Sequence, residues 1–365
     1  MEDLSQAREL IDRADRELAA AFKRRMEASV MVAAYKREHG LPILDAEREK
    51  AVLEKHTLYM DDPTLQPYFT DLLKHCMALS RAWQHKLGEG FTVAYSGVEG
   101  AFAAIAAERI FPEAHYLPCA SFEEVYRKVE SGEADCCVLP IENSYAGEVG
   151  QVNDLMFSGP LFVSGVYDMP IHQHLIGVPG AQVSEVKKVI SHPQALSQCA
   201  DYIAAHGMEA IQASNTARAA RTVAEMADPS MAAIASAETA GLYGLSILAS
   251  NINASSANTT RFAVFTRIKR ESTAADRRFI LLFTVRNEAG SLAKAVDIIG
   301  RYGYNLRVLR SRPQKKQPWQ YYFYAEAEGN AESETGRAML KELGACCDML
   351  KVAGQFENEI TLEEK

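Results

Sequence analysis

The chain has 365 residues, of which 48% are hydrophobic and 24% charged. This length is too great for one ordinary core and predicts two or three domains. The net charge of −9 argues against a general nucleic-acid-binding protein, because phosphate recognition needs a basic face. Seven cysteines without a Cys-x-x-Cys spacing indicate neither a zinc cluster nor a disulfide framework, so we expect reduced thiols and a cytoplasmic protein. We expect neither a signal peptide nor a membrane partner, because the first residues are charged and no segment approaches roughly 20 apolar residues.

The N-terminal segment predicts one long helix, because residues 5–39 contain no glycine or proline. A helix of this length, about 50 Å, is too long to be buried by one small domain and therefore predicts a partner chain. Its apolar stripe also carries Arg8, Arg25 and Lys36. Cations on a buried face are costly unless an anion meets them, although a solvated edge or internal pairs with acidic residues would also explain them.

Two further helices follow the break at Gly40 and Pro42. The second begins near Asp45, and Asp45, Arg48 and Glu49 share one of its faces. Asp45 could instead act only as a cap. The third helix, from about residue 64 to 86, carries Ser80 and Gln84 at the i, i+4 spacing.

Residues 1–87 resemble the all-helical class of chorismate mutases. The resemblance rests on eight residues in the family's order: Arg8, Arg25, Lys36, Asp45, Arg48, Glu49, Ser80 and Gln84. It implies that Arg25 and Arg8 of a partner chain hold the substrate carboxylates, that Lys36 and Gln84 face the ether oxygen as the catalytic pair, and that Glu49 meets the ring hydroxyl. Asp45, Arg48 and Ser80 would complete the chorismate-binding pocket. Because the rearrangement is pericyclic, it needs only a compact conformer and stabilised charge on the ether oxygen.

From residue 91 onward, strands and helices alternate. Buried strands are predicted at residues 91–95, 136–140, 189–190, 232–235 and 262–265. The alternation predicts a doubly wound α/β region with two lobes and a cleft between them. The loop at residues 96–100 has neither a dinucleotide-binding nor a Walker glycine spacing, but the following helix N-terminus favours an anion.

Three polar segments are predicted to follow strands or to begin helices: residues 140–144, 191–195 and 214–217. A fourth, residues 258–262, is predicted at the mouth of the buried strand 262–265. Each could be a cap or turn in isolation, and Ser214 is predicted to cap the helix near Thr216. Together they resemble prephenate dehydratases over residues 91–267. The resemblance implies loss of a ring hydroxyl with carbon dioxide, with Thr260 as the hydrogen-bond donor to the departing hydroxyl. The candidate prephenate-binding residues are Asn143, Ser144, Gln194, Ser214, Thr216 and Arg261.

Two neighbouring groups have a less favourable chemistry. Glu142 would face a dianion and would need to be protonated or turned away. His172 and His174 would share one face of a strand, but no further side chain offers clear metal-ligand spacing. We therefore predict that no metal or cofactor is used.

The C-terminal segment, beyond a charged linker at residues 267–276, predicts a βαββαβ order. It resembles the ACT regulatory domain, which implies that L-phenylalanine is the effector. The signature positions are Gly290, Ser291, Leu292, Ser311, Arg312 and Pro313, and Arg310 stands where the family has a glutamate. The alternative is a domain that only dimerises.

The sequence therefore predicts a multidomain α and α/β protein. We expect an all-α helical mutase domain at 1–87, a two-lobed, doubly wound, periplasmic-binding-protein-like dehydratase domain at 91–267, and a ferredoxin-like ACT domain at 278–357. The expected function is conversion of chorismate through prephenate to phenylpyruvate, inhibited by phenylalanine, in a homodimer or higher homo-oligomer. A two-lobed solute-binding protein and a sensor with inactive sites are the alternatives.

Overall fold

The computed structural model describes residues 4–88, 90–255, 257–315 and 319–363. They fall into two compact units. The first comprises the N-terminal helices through Thr92 together with Glu113–His115 and Lys128–Asp135, and the second contains the remaining residues. Within the described ranges, no helix has the length and apolar character needed to cross a membrane.

Three helices form most of the first unit: α1 (Leu4–Glu38), α2 (Ala46–Thr57) and α3 (Gln66–Gly88). The long first helix agrees with the prediction, and it ends before Gly40, whose φ of 64° is the left-handed conformation that glycine favours. Asp45 caps α2, because its side chain accepts a hydrogen bond from Arg48 N at 2.9 Å. In α1 only Ser29 is buried among the described residues, so most of this helix is exposed in a single chain.

The central region alternates strands with helices, as predicted. In chain order its elements are β1 (Thr92–Ser96), α4 (Phe102–Ile110), β2 (His115–Cys119), α5 (Phe122–Ser131), β3 (Cys136–Asn143), β4 (Gly147–Glu148), α6 (Gly150–Ser158), β5 (Phe162–Pro170), β6 (His174–Gly177), a 3-10 turn (Val183–Glu185), β7 (Lys188–Ser191), α7 (Pro193–Gln198), α8 (Ala200–Ala205), β8 (Glu209–Gln212), α9 (Thr216–Met226), β9 (Met231–Ala235), α10 (Ala237–Leu242), β10 (Ser246–Ala249) and β11 (Thr259–Thr266).

The C-terminal region follows the predicted βαββαβ order. Its elements are β12 (Arg278–Thr284), α11 (Ser291–Arg301), β13 (Leu306–Pro313), β14 (Tyr321–Glu328), α12 (Glu334–Cys346), β15 (Met349–Phe356) and a short β16 (Ile360–Thr361). The strand order β13-β14-β12-β15 is the ferredoxin-like arrangement. Phe279, Leu281 and Phe283 alternate along β12 and pack into the core beneath the two helices.

Two sheets organise the second unit, and they form the two lobes of the central region. The second lobe has the strand order β10-β6-β9-β7-β8. Successive residues of its strands, such as Leu175 and Ile176, enter separate cores on opposite faces, so helices cover both sides. The fold-class prediction of a two-lobed, doubly wound region is confirmed.

The first lobe and the C-terminal region share one sheet in the described structure. It runs β13-β14-β12-β15-β5-β11-β3-β1-β2, with β4 beside β3 and β16 beside β5. The junction is the pair Gly354 on β15 and Val163 on β5. A Cβ atom at Gly354 would lie 2.3 Å from the carbonyl oxygen of Val163, so the close approach requires glycine.

Several predicted boundaries were wrong at the polar segments. The strands β3 and β11 extend through these segments, because Thr260 pairs with Asn143 and Arg261 pairs with Glu142 in an antiparallel ladder. The helix α9 is capped by Asn215, not by Ser214, since the Asn215 side chain accepts from Arg218 N at 2.7 Å.

The histidines of the possible metal pair are also not on one strand. Strand β5 ends at Pro170 and β6 begins at His174, so His172 lies between the strands. Among the described residues, no group of three or more histidine, cysteine or acidic side chains could hold a metal ion.

Candidate active sites

The N-terminal helices form a pocket of about 200 Å³, which we call the helix pocket. Its lining consists of Arg25, Ser29, Val32, Lys36, Ile43, Asp45, Arg48, Glu49, Val52, Met77, Ser80, Arg81 and Gln84. The structure therefore brings together seven of the eight predicted residues of this region. Four of the charged lining residues are cations and two are carboxylates, so the pocket suits an anionic ligand.

Hydrogen bonds between α1 and α3 fix one wall of the helix pocket. Arg25 donates to the carbonyl oxygen of Cys76 at 2.6 Å and contacts the hydroxyl of Ser80. The Ser29 hydroxyl donates to the carbonyl oxygen of Arg25 at 3.0 Å and lies 3.1 Å from the Ser80 hydroxyl. The guanidinium is thus held at the pocket wall before any ligand enters.

Arg8 is the predicted residue that the structure does not bring to the helix pocket of its own chain. It lies 17 positions before Arg25 on α1, which corresponds to about 25 Å along the helix axis. It can reach such a pocket only in another chain.

Sequence reasoning missed Arg81. This residue is 9% exposed, pairs with Glu49 and donates from Nε and Nη2 to the carbonyl oxygen of Ser131 at 3.1 and 2.8 Å. Its neighbour Gln84 is 7% exposed, and its Oε1 has no hydrogen-bond partner among the described residues. The signal was available, because Met77, Ser80, Arg81 and Gln84 follow the i, i+3, i+4, i+7 spacing of one helix face.

A second pocket, of about 280 Å³, lies between the two lobes, and we call it the cleft pocket. Four of the predicted residues line this pocket: Thr260, Asn143, Gln194 and Thr216. The other lining residues are Ser96, Ala101, Phe102, Ala103, Phe122, Pro140, Ile171, Gln173, His192, Ala195, Gln198, Asn215 and Phe262. An adjoining space of about 740 Å³, the outer cleft, shares several of these residues and is also lined by the predicted Ser214 and by Arg218.

The hydroxyl of Thr260 is oriented by Asn143. The Asn143 Oδ1 accepts from the backbone N–H groups of Tyr145 and Ala146 at 3.1 and 2.9 Å, which fixes the direction of the amide. Its Nδ2 therefore faces Thr260 and donates to Oγ1 at 2.9 Å. Because Oγ1 accepts this bond, the hydroxyl hydrogen of Thr260 remains available to donate to a ligand.

Three helices begin at the two cleft spaces. Helices α4, α5 and α9 all begin with residues that line them. The N-cap of α4 is Ala101, which has no side chain to accept from the first N–H groups. A carboxylate at this position would be stabilised by those N–H groups and by the helix dipole. Arg218 adds a guanidinium in the outer cleft.

His192 is a second residue that the predicted set omitted. Burial lowers the pKa of His192, which favours the neutral ring. Its Nδ1 accepts from Gln194 N at 3.2 Å, so the hydrogen of the neutral ring is on Nε2. His192 can therefore act as a hydrogen-bond donor in the cleft.

Arg261 does not line either cleft space, although it follows Thr260 directly. Successive side chains of a strand point to opposite faces, so Arg261 faces away from Thr260. Its guanidinium donates to Asp168, Glu326 and Glu359, and these carboxylates outweigh the effect of burial and raise the pKa of Arg261. The prediction that Arg261 binds the ligand is not supported by this position.

Ser144 and Glu142 are also engaged elsewhere. Ser144 does not line the cleft spaces; its hydroxyl donates to the carbonyl oxygen of Ala257 at 3.1 Å and accepts from Thr259 N at 2.9 Å. Glu142 is turned toward Arg310, with which it forms an ion pair, and toward Arg261 at 3.6 Å. The carboxylate is thereby kept away from the cleft.

The predicted effector residues occupy two places in one chain. Gly290 and Ser291 line a polar pocket of about 440 Å³, and Leu292 packs against the C-terminal core. Ser311, Arg312 and Pro313 lie on β13 and do not line that pocket. Arg312 pairs with Glu148 and with Asp154 at 3.0 Å.

Comparisons with known proteins cover both pockets. Residues 7–85 match the family of type II chorismate mutases, and residues 93–270 match the prephenate dehydratase family. A bifunctional chorismate mutase/prephenate dehydratase of Aquifex aeolicus (strain VF5) is 32% identical over an alignment of 374 positions that covers 100% of both chains. Among solved structures, a prephenate dehydratase from Arthrobacter aurescens in complex with L-Phe matches at a TM-score of 0.68 and 26% identity, over 74% of this chain and 93% of that one. A quorum-quenching acylase, GqqA, matches at a TM-score of 0.67 and 30% identity, over 72% of this chain and 97% of that one.

Proposed function

The chain belongs to the family of bifunctional chorismate mutase/prephenate dehydratases, and from that premise we propose how two reactions are divided between its pockets. It converts chorismate to prephenate and prephenate to phenylpyruvate, carbon dioxide and water, in L-phenylalanine biosynthesis. We assign the first reaction to the helix pocket and the second to the cleft pocket. The corresponding domains are residues 1–87, 91–267 and, for regulation, 278–357. A solute-binding protein does not fit this family membership.

In the helix pocket, catalysis consists of positioning and charge stabilisation. Arg25 and the Arg8 of a second chain hold the two carboxylates of chorismate in the compact conformer. Lys36 and Gln84 donate to the ether oxygen as its bond to the ring breaks, and Glu49 accepts from the ring hydroxyl. Gln84 is a neutral donor, so the reaction proceeds near neutral pH without prior protonation of this side chain.

The assignment of Arg8 requires a homodimer or a higher homo-oligomer. The apolar residues Leu10, Ile11 and Leu18 beside Arg8 are more than half exposed in one chain, which favours burial against a second copy of α1. We place the enzyme in the cytoplasm, since the seven cysteines, all within the described residues, form no disulfide bond.

In the cleft pocket, prephenate loses carbon dioxide and its ring hydroxyl, and the ring becomes aromatic. The electron pair of the breaking carbon–carboxylate bond moves through the ring and expels the hydroxyl as hydroxide, which solvent protonates to water. A threonine hydroxyl is a poor acid, so Thr260 stabilises the departing hydroxide as a hydrogen-bond donor. The carboxylates of prephenate lie against the helix N-termini, near Gln194, Ser214 and Thr216.

The observation that carries this assignment is the Asn143–Thr260 hydrogen bond, which leaves the threonine hydrogen free to donate into the cleft pocket. The test supplies chorismate to the purified protein and follows chorismate loss and phenylpyruvate gain for the wild type, Thr260→Ala and Thr259→Ala. We expect Thr260→Ala to lower the dehydratase rate by roughly 10²- to 10³-fold and to accumulate prephenate, with the mutase rate unchanged.

Thr259→Ala is the matched control, because Thr259 is the adjacent residue on β11 and does not line the cleft pocket. Wild-type protein that consumes chorismate without forming phenylpyruvate would refute the dehydratase assignment and favour a binding module. Equal losses in the two variants would refute the role of Thr260.

L-Phenylalanine is the effector in our proposal. The Arthrobacter aurescens prephenate dehydratase, whose solved structure is a complex with L-Phe, is similar in fold, and the C-terminal region here has the ferredoxin-like arrangement. Since the two signature segments are apart in one chain, the ligand binds where Gly290, Ser291 and Leu292 meet Ser311, Arg312 and Pro313 of another chain.

A further inference from the structure

Gln173 occupies the crossing between the two lobes. It lies in the segment that joins β5 of the first sheet to β6 of the second, and it lines the cleft pocket while being only 2% exposed. The sequence predicted a strand through this position, and the predicted site did not include Gln173.

Both backbone polar groups of Gln173 form hydrogen bonds with the segment that precedes β11. Its N–H donates to Asn253 Oδ1 at 3.1 Å, and its carbonyl oxygen accepts from Ile252 N at 2.8 Å. The side-chain Oε1 is different, because it is buried and has no hydrogen-bond partner among the described residues. A buried amide oxygen without a donor is destabilising, and such a group in a pocket wall points to a donor that a ligand supplies.

Three other amides of the cleft pocket, those of Asn143, Asn215 and Gln198, have their carbonyl oxygens occupied. Asn143 Oδ1 accepts from two backbone N–H groups, and Asn215 Oδ1 accepts from Arg218 N. Gln198 Oε1 accepts from Asn258 Nδ2 at 3.1 Å. Gln173 therefore offers an acceptor that these neighbouring amides do not.

Prephenate at neutral pH has two carboxylates, a ketone and one hydroxyl, so the ring hydroxyl is its single hydrogen-bond donor. We propose that Gln173 Oε1 accepts the hydrogen of this hydroxyl, an inference that rests on the proposed dehydratase function. The contact directs the hydroxyl hydrogen away from Thr260 and leaves an oxygen lone pair facing the threonine donor. Gln173 is thus a further substrate-contacting residue that orients the leaving group.

The test measures binding with and without the hydroxyl. Ring-hydrogenated prephenate cannot become aromatic, so it serves as a stable competitive inhibitor, prepared with and without its ring hydroxyl. In the wild type, we expect the hydroxyl-bearing inhibitor to bind more tightly. Gln173→Met keeps the length of the side chain but removes the amide. This variant should lower about tenfold the ratio of the inhibition constant measured without the ring hydroxyl to the one measured with it.

Two further variants sharpen the result. Gln212→Met, at an exposed glutamine of the second lobe, should keep the wild-type ratio. Gln173→Glu keeps an acceptor but adds a negative charge, so the ratio should be retained while both inhibitors bind more weakly. An unchanged ratio in Gln173→Met, or a ratio lost equally in both Gln173 variants, would overturn the proposal.

Failure of this inference is distinguishable from failure of the proposed function. Phenylpyruvate formation by the wild type tests the dehydratase assignment without reference to Gln173. Chorismate consumption by each variant in the same preparation reports that its mutase part is intact, and inhibitor binding reports that its cleft is folded.

Discussion

Replacement of Arg261 by methionine separates a structural role from a ligand-binding role at the position after Thr260. The resemblance implied that this guanidinium binds prephenate, whereas the structure directs it to the carboxylates of Asp168, Glu326 and Glu359. Methionine keeps an unbranched side chain of similar length and removes the charge.

The magnitude follows from what each carboxylate retains. Glu359 keeps Arg278 and Arg307 at 3.5 Å, and the Asp168 side chain is 32% exposed. The Glu326 side chain is 3% exposed and keeps only the hydroxyl of Tyr324 among its described hydrogen-bond partners. One buried charge is left without its cation, which costs about 3–5 kcal/mol. The midpoint of thermal unfolding should therefore fall by roughly 4 to 9 °C, because the entropy of unfolding grows with the number of residues that unfold together.

The assay combines thermal unfolding with the kinetics of phenylpyruvate formation from added prephenate. We expect Arg261→Met to unfold at lower temperature while the KM for prephenate in the folded protein stays within about twofold. A second substitution, Glu326→Gln, should recover most of the lost stability, because it removes the stranded charge. A tenfold higher KM with unchanged unfolding would refute this reasoning and restore Arg261 to the binding site.

Two further predictions concern other charged groups. Burial raises the pKa of Asp168 above its ordinary value; Arg261 opposes this shift, and the nearby Glu359 and Glu326 add to it. The charge of Asp168 is thus destabilising once pH rises through that raised pKa. At pH 7, Asp168→Asn should therefore unfold at a higher temperature than the wild type, whereas below the ordinary carboxyl pKa the two proteins should unfold at the same temperature. Equal stability of the two proteins at pH 7 would contradict this prediction. Arg81→Met should raise the KM for chorismate about tenfold, because it removes the partner of Glu49, while added prephenate is dehydrated at the wild-type rate; unchanged mutase kinetics would exclude Arg81.

The order of elements could be predicted from the sequence because periodicity is a local property. Residues without glycine or proline formed α1, and the βαββαβ order of the C-terminal region was confirmed. The ends of strands were harder, since a polar residue such as Asn143 stays in a ladder when its neighbour supplies a partner. The pairing of β15 with β5 had no local signal at all, because it depends on a close approach of two distant backbones.

In the candidate sites too, local features could be predicted from the sequence and features that depend on distant segments could not. Seven helical residues could be placed on shared faces by spacing alone, and they line one pocket. Arg261 lies outside the pocket because β11 includes both Thr260 and Arg261, and neighbouring side chains of a strand point to opposite faces. At the mouth of a strand, where the sequence predicted them, the two side chains could have converged. Gln173 could not be found, because its significance is an absent hydrogen-bond partner, which only a three-dimensional arrangement reveals.

The sheet shared by the first lobe and the C-terminal region has a consequence for engineering. Removal of the residues from Arg278 onward would take away both β15 and β16, which flank β5. The nine residues of β5 would then form an exposed edge strand, whose unpaired backbone N–H and C=O groups can pair with strands of other molecules. Deletion of the C-terminal region is therefore a poor way to remove inhibition by phenylalanine. Single substitutions that keep β15 and β16 paired with β5 are the better choice.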